Sequence, residues 1–319
     1  MIKVNEIVVK NKFIYFKLLI FFMKSTKIFT GVFPPTITIF DSNDEINYEL
    51  TKKHIDFLIS NGADGIIVEG STGEFFNLND QERKKLIEEV VIHVGGRVPV
   101  IAGVSSCSTK NVIELSKFAE KVGADGLLIT PPYYYKPNEE ELFNHFKLIS
   151  KTVDIPIMLY NNPWTTGVYV RPPLLVRMAN EGIIQYVKET HGDVAYVHET
   201  YYIGKGKPTI FFGKDENSLE AFLVGAVGWV SGAANVTIKL QKEMYNAFFK
   251  DGNIQKAKEI YFKLIPWFLL TERRGRWISY VKGALNLIGH NVGAPRLPLL
   301  SLSTEELNEV KKVIEAIPI

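Results

Sequence analysis

An α/β fold, a (β/α)8 barrel with a C-terminal helical extension, is what this sequence predicts, and three observations predict it. From residue 31 a short apolar run is followed by a polar loop and an amphipathic helix, and that unit recurs eight times by residue 231. Strands alternating with helices build a parallel sheet, and eight such units in about 200 residues suit a closed barrel. An open doubly wound sheet would want a glycine fingerprint after its first strand, where Phe33-Pro34-Pro35 stands instead.

In order, the strands are expected at Gly31–Ile39, Gly65–Val68, Val98–Ala102, Gly126–Thr130, Ile155–Tyr160, Ile183–Lys188, Thr209–Phe212 and Gly228–Ser231. Each is a short apolar run, several rich in β-branched residues, the pattern of a strand buried on both faces. Helical periodicity covers Tyr48–Asn61, Asp80–Val94, Thr109–Val122, Glu139–Thr152, Pro172–Asn180, Asp193–Tyr202 and Ser218–Val224. Asn79, Ser108 and Asn138 are placed to cap three of these helices at their starts. Gly62, Gly123 and Gly225 stand where a helix must turn into the next strand. Beyond residue 236 the pattern is helical only, over Lys239–Lys250, Asn253–Leu270, Arg276–Ile288 and Thr304–Ile317. The expected organisation is therefore an N-terminal extension (1–28), a barrel (29–236) and a C-terminal helical region (237–319).

The extension is the anomalous segment. Its apolar stretch Phe13–Phe22 is interrupted by Lys17 and too short to span a bilayer, and no small-residue cleavage site follows. Met23 is expected to be the true start. The 319 residues carry a net charge of +2, but residues 1–28 hold six lysines and one glutamate, and the remainder is slightly acidic. No basic face suggests nucleic acid, and none of the segments suggests a membrane partner. One cysteine, Cys107, excludes a disulfide scaffold, and six histidines without HxH or HxxxH spacing give a metal no support. No cofactor is called for, and a cytoplasmic location is expected.

Chemistry in such barrels gathers at the C-terminal ends of the strands. Those ends carry Gly70-Ser71-Thr72-Gly73-Glu74, Tyr133-Tyr134-Tyr135, Tyr160-Asn161, Lys188-Glu189-Thr190 and Gly213-Lys214-Asp215. Lys188 stands out, because it ends the apolar run Ile183–Val187 and lysine is rarely buried. A desolvated amine loses its proton readily and attacks ketones. The rest of the set is mostly hydroxyls, so carbonyl chemistry through an imine fits and phosphoryl transfer does not.

Five blocks, GSTGE (70–74), PPYYYKP (131–137), LYNNP…TG (159–167), VKE (187–189) and GWVSGAANV (228–236), resemble the dihydrodipicolinate synthase/N-acetylneuraminate lyase family. The similarity runs over roughly residues 29–300. It implies a class I aldolase acting on pyruvate or another 2-keto acid, in a homotetramer arranged as a dimer of dimers. By resemblance, Lys188 forms the Schiff base and Tyr160 is the acid/base at the aldol oxygen. Ser71 links it to Tyr134, which such enzymes contribute from the neighbouring subunit. Thr72 joins Ser71 in holding the keto acid's carboxylate, with Val230 and Gly213 lining the pocket.

Thr165 stands where the synthases carry an arginine for a second carboxylate. That departure, with the segments GVFPPTITIF and GEFFNL, points toward members that cleave or dehydrate 2-keto-3-deoxy sugar acids, whose hydroxyls Thr165, Thr166 and Asn162 could bind. The alternatives are a 4-hydroxy-tetrahydrodipicolinate synthase and a non-catalytic keto-acid-binding relative. Lys214 is expected as a spare positive charge for a distal anion, and Arg273, Arg274 and Arg276 as helix-end or solvated charges.

Overall fold

Eight parallel strands curl into a barrel in the computed structural model of the chain, which describes residues 29–318. They are β1 (Gly31–Val32), β2 (Ile66–Val68), β3 (Val100–Gly103), β4 (Gly126–Ile129), β5 (Ile157–Asn161), β6 (Tyr186–Glu189), β7 (Thr209–Phe212) and β8 (Gly228–Trp229). Pairing runs β1-β8-β7-β6-β5-β4-β3-β2. The seam between β1 and β2 is closed by one parallel bridge, Pro35 to Ile67. Two backbone bonds flank it, Ile67 N to Pro34 O at 3.1 Å and Thr36 N to Ile67 O at 2.9 Å.

The first strand is much shorter than the expected Gly31–Ile39 because Pro34 and Pro35 have no N–H to give a ladder. At β5 and β6, by contrast, four residue pairs are in register, Met158–Tyr186 through Asn161–Glu189.

Helices α1 (Tyr48–Ser60), α2 (Asp80–Val94), α3 (Thr109–Val122), α4 (Glu139–Ser150), α5 (Pro172–Asn180), α6 (Val194–Gly204) and α7 (Ser218–Leu223) cover the sheet. Their starts follow the sequence signals. Asn79 and Asn138 each form a reciprocal capping box, with Glu82 and Glu141, an arrangement that satisfies two otherwise orphaned amides. Gly123 ends α3 at φ +98°, a left-handed position that suits glycine.

Helix α8 (Ala234–Phe249) packs against β1 as the eighth barrel helix. It passes through residue 236, where the sequence reading placed the end of the barrel. Helices α9 (Ile254–Arg273), α10 (Trp277–Leu287) and α11 (Thr304–Glu315) complete the C-terminal extension. The core is continuous between strands and helices: Phe211, Phe212, Trp229, Trp267 and Phe268 are fully buried. Each such side chain contributes about 1.5–3 kcal/mol through burial alone. None of the helices among the described residues is long and apolar enough to cross a membrane. The expected extension, residues 1–28 with Met23, lies outside the described residues.

Candidate active site

Lys188 ends up buried because β6 is central and paired on both sides, to β5 and β7. Its residue is 4% exposed, and it lies in register with Tyr160 on β5, itself 5% exposed. Residues in register on adjacent parallel strands project to the same face. The Lys188 Nζ consequently sits 3.7 Å from the centre of the Tyr160 ring.

Gly213, just past β7, makes the space for this lysine. A Cβ there would stand 2.8 Å from Lys188 Cε and 2.2 Å from Thr190 Oγ1. Any side chain would displace the amine, so the glycine is explained by close approach. Val230 forms the adjoining wall, fully buried, with its N–H bonded to Phe212 O at 2.8 Å.

The GSTGE segment folds as a single 3-10 turn, Ser71–Gly73, closed by Gly73 N to Gly70 O at 2.9 Å. The amides of Ser71 and Thr72, at the start of the turn, have no partner within it, as at the start of any helix. Thr72 is buried, and its hydroxyl faces Gly232 after β8. Ser71 is half-buried. Like Lys188 and Tyr160, both residues stand at or just past the C-terminal end of a strand, here β2.

Glu74 anchors the turn, and sequence reasoning gave it no role. It is wholly buried in a left-handed conformation (φ 59°). One carboxylate oxygen meets Lys282 Nζ at 2.6 Å, and the other accepts from Arg296 N at 2.9 Å. Burial pulls the Lys282 ammonium below the usual lysine range, against the opposing effect of Glu74. This pair ties the turn to α10.

Asn161 and Glu189, noted at the strand ends, were likewise given no role. The Asn161 amide pairs with both backbone groups of Val170, and donates to Glu189 Oε2 at 2.8 Å. That clamp closes residues 162–169 into a loop above Tyr160. Glu189 also accepts from His191 N at 2.8 Å, yet burial dominates and pushes its carboxyl up to about 7. Both fall inside the blocks quoted above, but nothing local gives them a role, because their partners are brought in by the fold.

Tyr134 is not brought to this site within the chain. It is 93% exposed, beside exposed Tyr133 and Tyr135. Thr165 is exposed on the one-turn helix Pro163–Thr166, its hydroxyl 3.4 Å from Asn162 O. Lys214 is not the spare charge expected: it is held by Glu272 at 2.9 Å, because α9 packs against the turn Asp215–Asn217 that follows β7. Arg273, Arg274 and Arg276 pair with Glu216, Glu309 and Glu306. Among the described residues no cluster of three or more histidine, cysteine or acidic side chains could hold a metal.

A buried amine at a barrel strand end, with a phenol ring against it, is equipment for imine chemistry on keto acids. The comparisons with known proteins agree. A family model described as "Dihydrodipicolinate synthetase family" matches residues 28–317. The 4-hydroxy-tetrahydrodipicolinate synthase of Methanocaldococcus jannaschii is 41% identical over 288 residues, 90% of this chain and 96% of that protein. Dihydrodipicolinate synthase DapA-2 of Bacillus anthracis superposes with a TM-score of 0.88 at 35% identity, covering 92% of this chain and 100% of the other. YagE, a prophage protein from E. coli K12 solved in complex with pyruvate, gives 0.86 at 30% identity, over 90% and 98%.

The chain belongs to the dihydrodipicolinate synthetase family. It is a lyase of the Schiff-base, class I aldolase type. The leaning toward sugar-acid members, drawn from two short segments and Thr165, finds no support in these relatives, because about 90% of the chain aligns with a synthase. A few residues weigh less than 288 aligned positions.

Proposed function

We propose that the chain is a 4-hydroxy-tetrahydrodipicolinate synthase, joining pyruvate to aspartate semialdehyde. The observation that carries this reading is the near full-length similarity to an enzyme of that name. Lys188 attacks the keto carbon of pyruvate and water leaves, giving the imine. Loss of a methyl proton then makes an enamine, whose carbon attacks the aldehyde. The oxygen that forms takes its proton from the Tyr160 hydroxyl. The aldehyde's own amine then attacks the imine carbon, closing the ring and expelling Lys188 as the free amine. Preorganised donors are worth most where negative charge persists, and the amides and hydroxyls of Ser71 and Thr72 suit the pyruvate carboxylate. Gly213 and Val230 shape the space around the imine.

Tyr134 completes the proton path from a neighbouring subunit in a dimer of dimers, through Ser71. Its 93% exposure favours that assignment, since a lone tyrosine gains little from facing water. Thr165 favours a second reading, aldol cleavage of a 2-keto-3-deoxy sugar acid, because a threonine cannot grip a carboxylate as an arginine does.

Pyruvate consumption with aspartate semialdehyde, set beside pyruvate release from 2-keto-3-deoxy sugar acids, decides between them. Condensation at least about tenfold more efficient than cleavage is expected. Cleavage without condensation would establish the second reading.

A further inference from the structure

Asn162 holds the N-cap position of the helix Pro163–Thr166, where an asparagine side chain ordinarily accepts from the next amides. It makes no such bond. Backbone and threonine groups fill in: Asn162 O accepts from Thr165 N, Thr166 N and Thr166 Oγ1. The freed side chain, 5% exposed, turns back toward β5 and donates Nδ2–H to the Tyr160 hydroxyl at 3.0 Å. Its Oδ1 is buried without any partner. Buried carbonyls are nearly always paired, so an orphan beside a reacting group calls for an explanation.

We infer that Asn162 serves two ends of the aldol step: its N–H orients the Tyr160 hydroxyl, and its free carbonyl accepts a hydrogen bond from a donor on the incoming aldehyde. The donor lies within a carbon or two of the aldehyde carbon, since Tyr160 must reach the new oxygen while Asn162 reaches the donor. In aspartate semialdehyde that donor is the ammonium; in a sugar-derived aldehyde it is a hydroxyl. This inference rests on the aldol reading of the site and not on which aldehyde is used.

The test compares aldehydes with and without the donor. kcat/KM with pyruvate is measured for aspartate semialdehyde and succinic semialdehyde in the native enzyme, Asn162→Leu and Asn162→Asp. The expected result is a preference for the ammonium-bearing aldehyde that falls about tenfold in Asn162→Leu, the size of one hydrogen bond to a charged donor. Comparing the ratio between variants removes any effect of ring closure on turnover. Asn162→Asp keeps an acceptor but loses the N–H, so it retains the preference while kcat falls.

Borohydride trapping of pyruvate on each variant reports an intact imine site. An unchanged ratio in Asn162→Leu with trapping intact overturns the proposal. Trapping lost in both variants also overturns it, since Asn162 would then be structural. Should the native enzyme ignore both semialdehydes and use glyceraldehyde, the synthase reading fails, and glyceraldehyde against propanal becomes the test of Asn162.

Discussion

The barrel wall at β5 and β6 and the seam between β1 and β2 are held together by different means. At the wall, four registered pairs fix Tyr160 beside Lys188 through backbone bonds alone. At the seam there is one bridge, and the turn that follows β2 is secured by a buried ion pair reaching across from α10. The difference teaches where each task sits. On the proposed mechanism, covalent chemistry falls on a fully laddered part of the sheet, where a small displacement of the amine would be costly. On the same mechanism, binding of the carboxylate falls to a turn whose position depends on side chains far away in sequence.

The largest effect should come from the wall. Lys188→Ala should abolish borohydride-trapped pyruvate adduct and lower turnover by at least about 10³-fold, as loss of a covalent nucleophile does. Thermal stability should hold or rise, because a buried amine is removed from an apolar setting. An adduct that persists in this variant, on Lys214 or elsewhere, would remove Lys188 from the mechanism.

The seam should respond in the opposite manner. Lys282→Met leaves Glu74 buried without its counter-charge and should cost about 3–5 kcal/mol of stability. Glu74→Gln made together with Lys282→Met removes both charges, and should recover much of that loss in a denaturant melt. Pyruvate affinity should weaken with the single change more than kcat does, since the turn binds and the wall reacts. Equal losses in the single and double variants would show that the uncompensated charge on Glu74 is not the source of the loss.

The two regions also differ in how far the sequence disclosed them. The wall was legible. Ile183–Val187 reads as a buried strand, a lysine at its end is conspicuous, and Tyr160 closes another apolar run. Both signals are local and periodic. Tertiary partners at the seam leave no such trace: Glu74 and Lys282 are 208 positions apart, and each alone looks like an ordinary charge. Lys214 shows the same limit in reverse, because its partner Glu272 comes from a helix whose docking no local pattern announces. The short first strand was readable in principle, since two adjacent prolines cannot feed a ladder. Asn162 could be read as a candidate partner for a substrate hydroxyl but not as a partner of Tyr160, because its orphan carbonyl exists only once the loop is folded over Tyr160.

The smallest effect is a matter of pH and belongs to the wall. Burial raises the Glu189 carboxyl from 4.5 to about 7, so between those values the folded protein holds a proton that the unfolded chain has released. Stability falls with rising pH wherever the native state binds more protons. This group's contribution is thus fully present below about pH 4.5 and is lost as pH rises through about 7. Glu189→Gln cannot titrate, and should flatten that decline in unfolding free energy measured across pH 4.5 to 7. It should also cost up to about 1–3 kcal/mol throughout, because one carboxylate acceptor for Asn161 or His191 becomes a donor. If the slope persisted unchanged, the titration would belong to another buried acid, with Asp215, also raised to about 7, the next to replace. The loop over Tyr160 hangs on Asn161, so the same variant also asks whether the wall's stiffness extends past its last ladder bond.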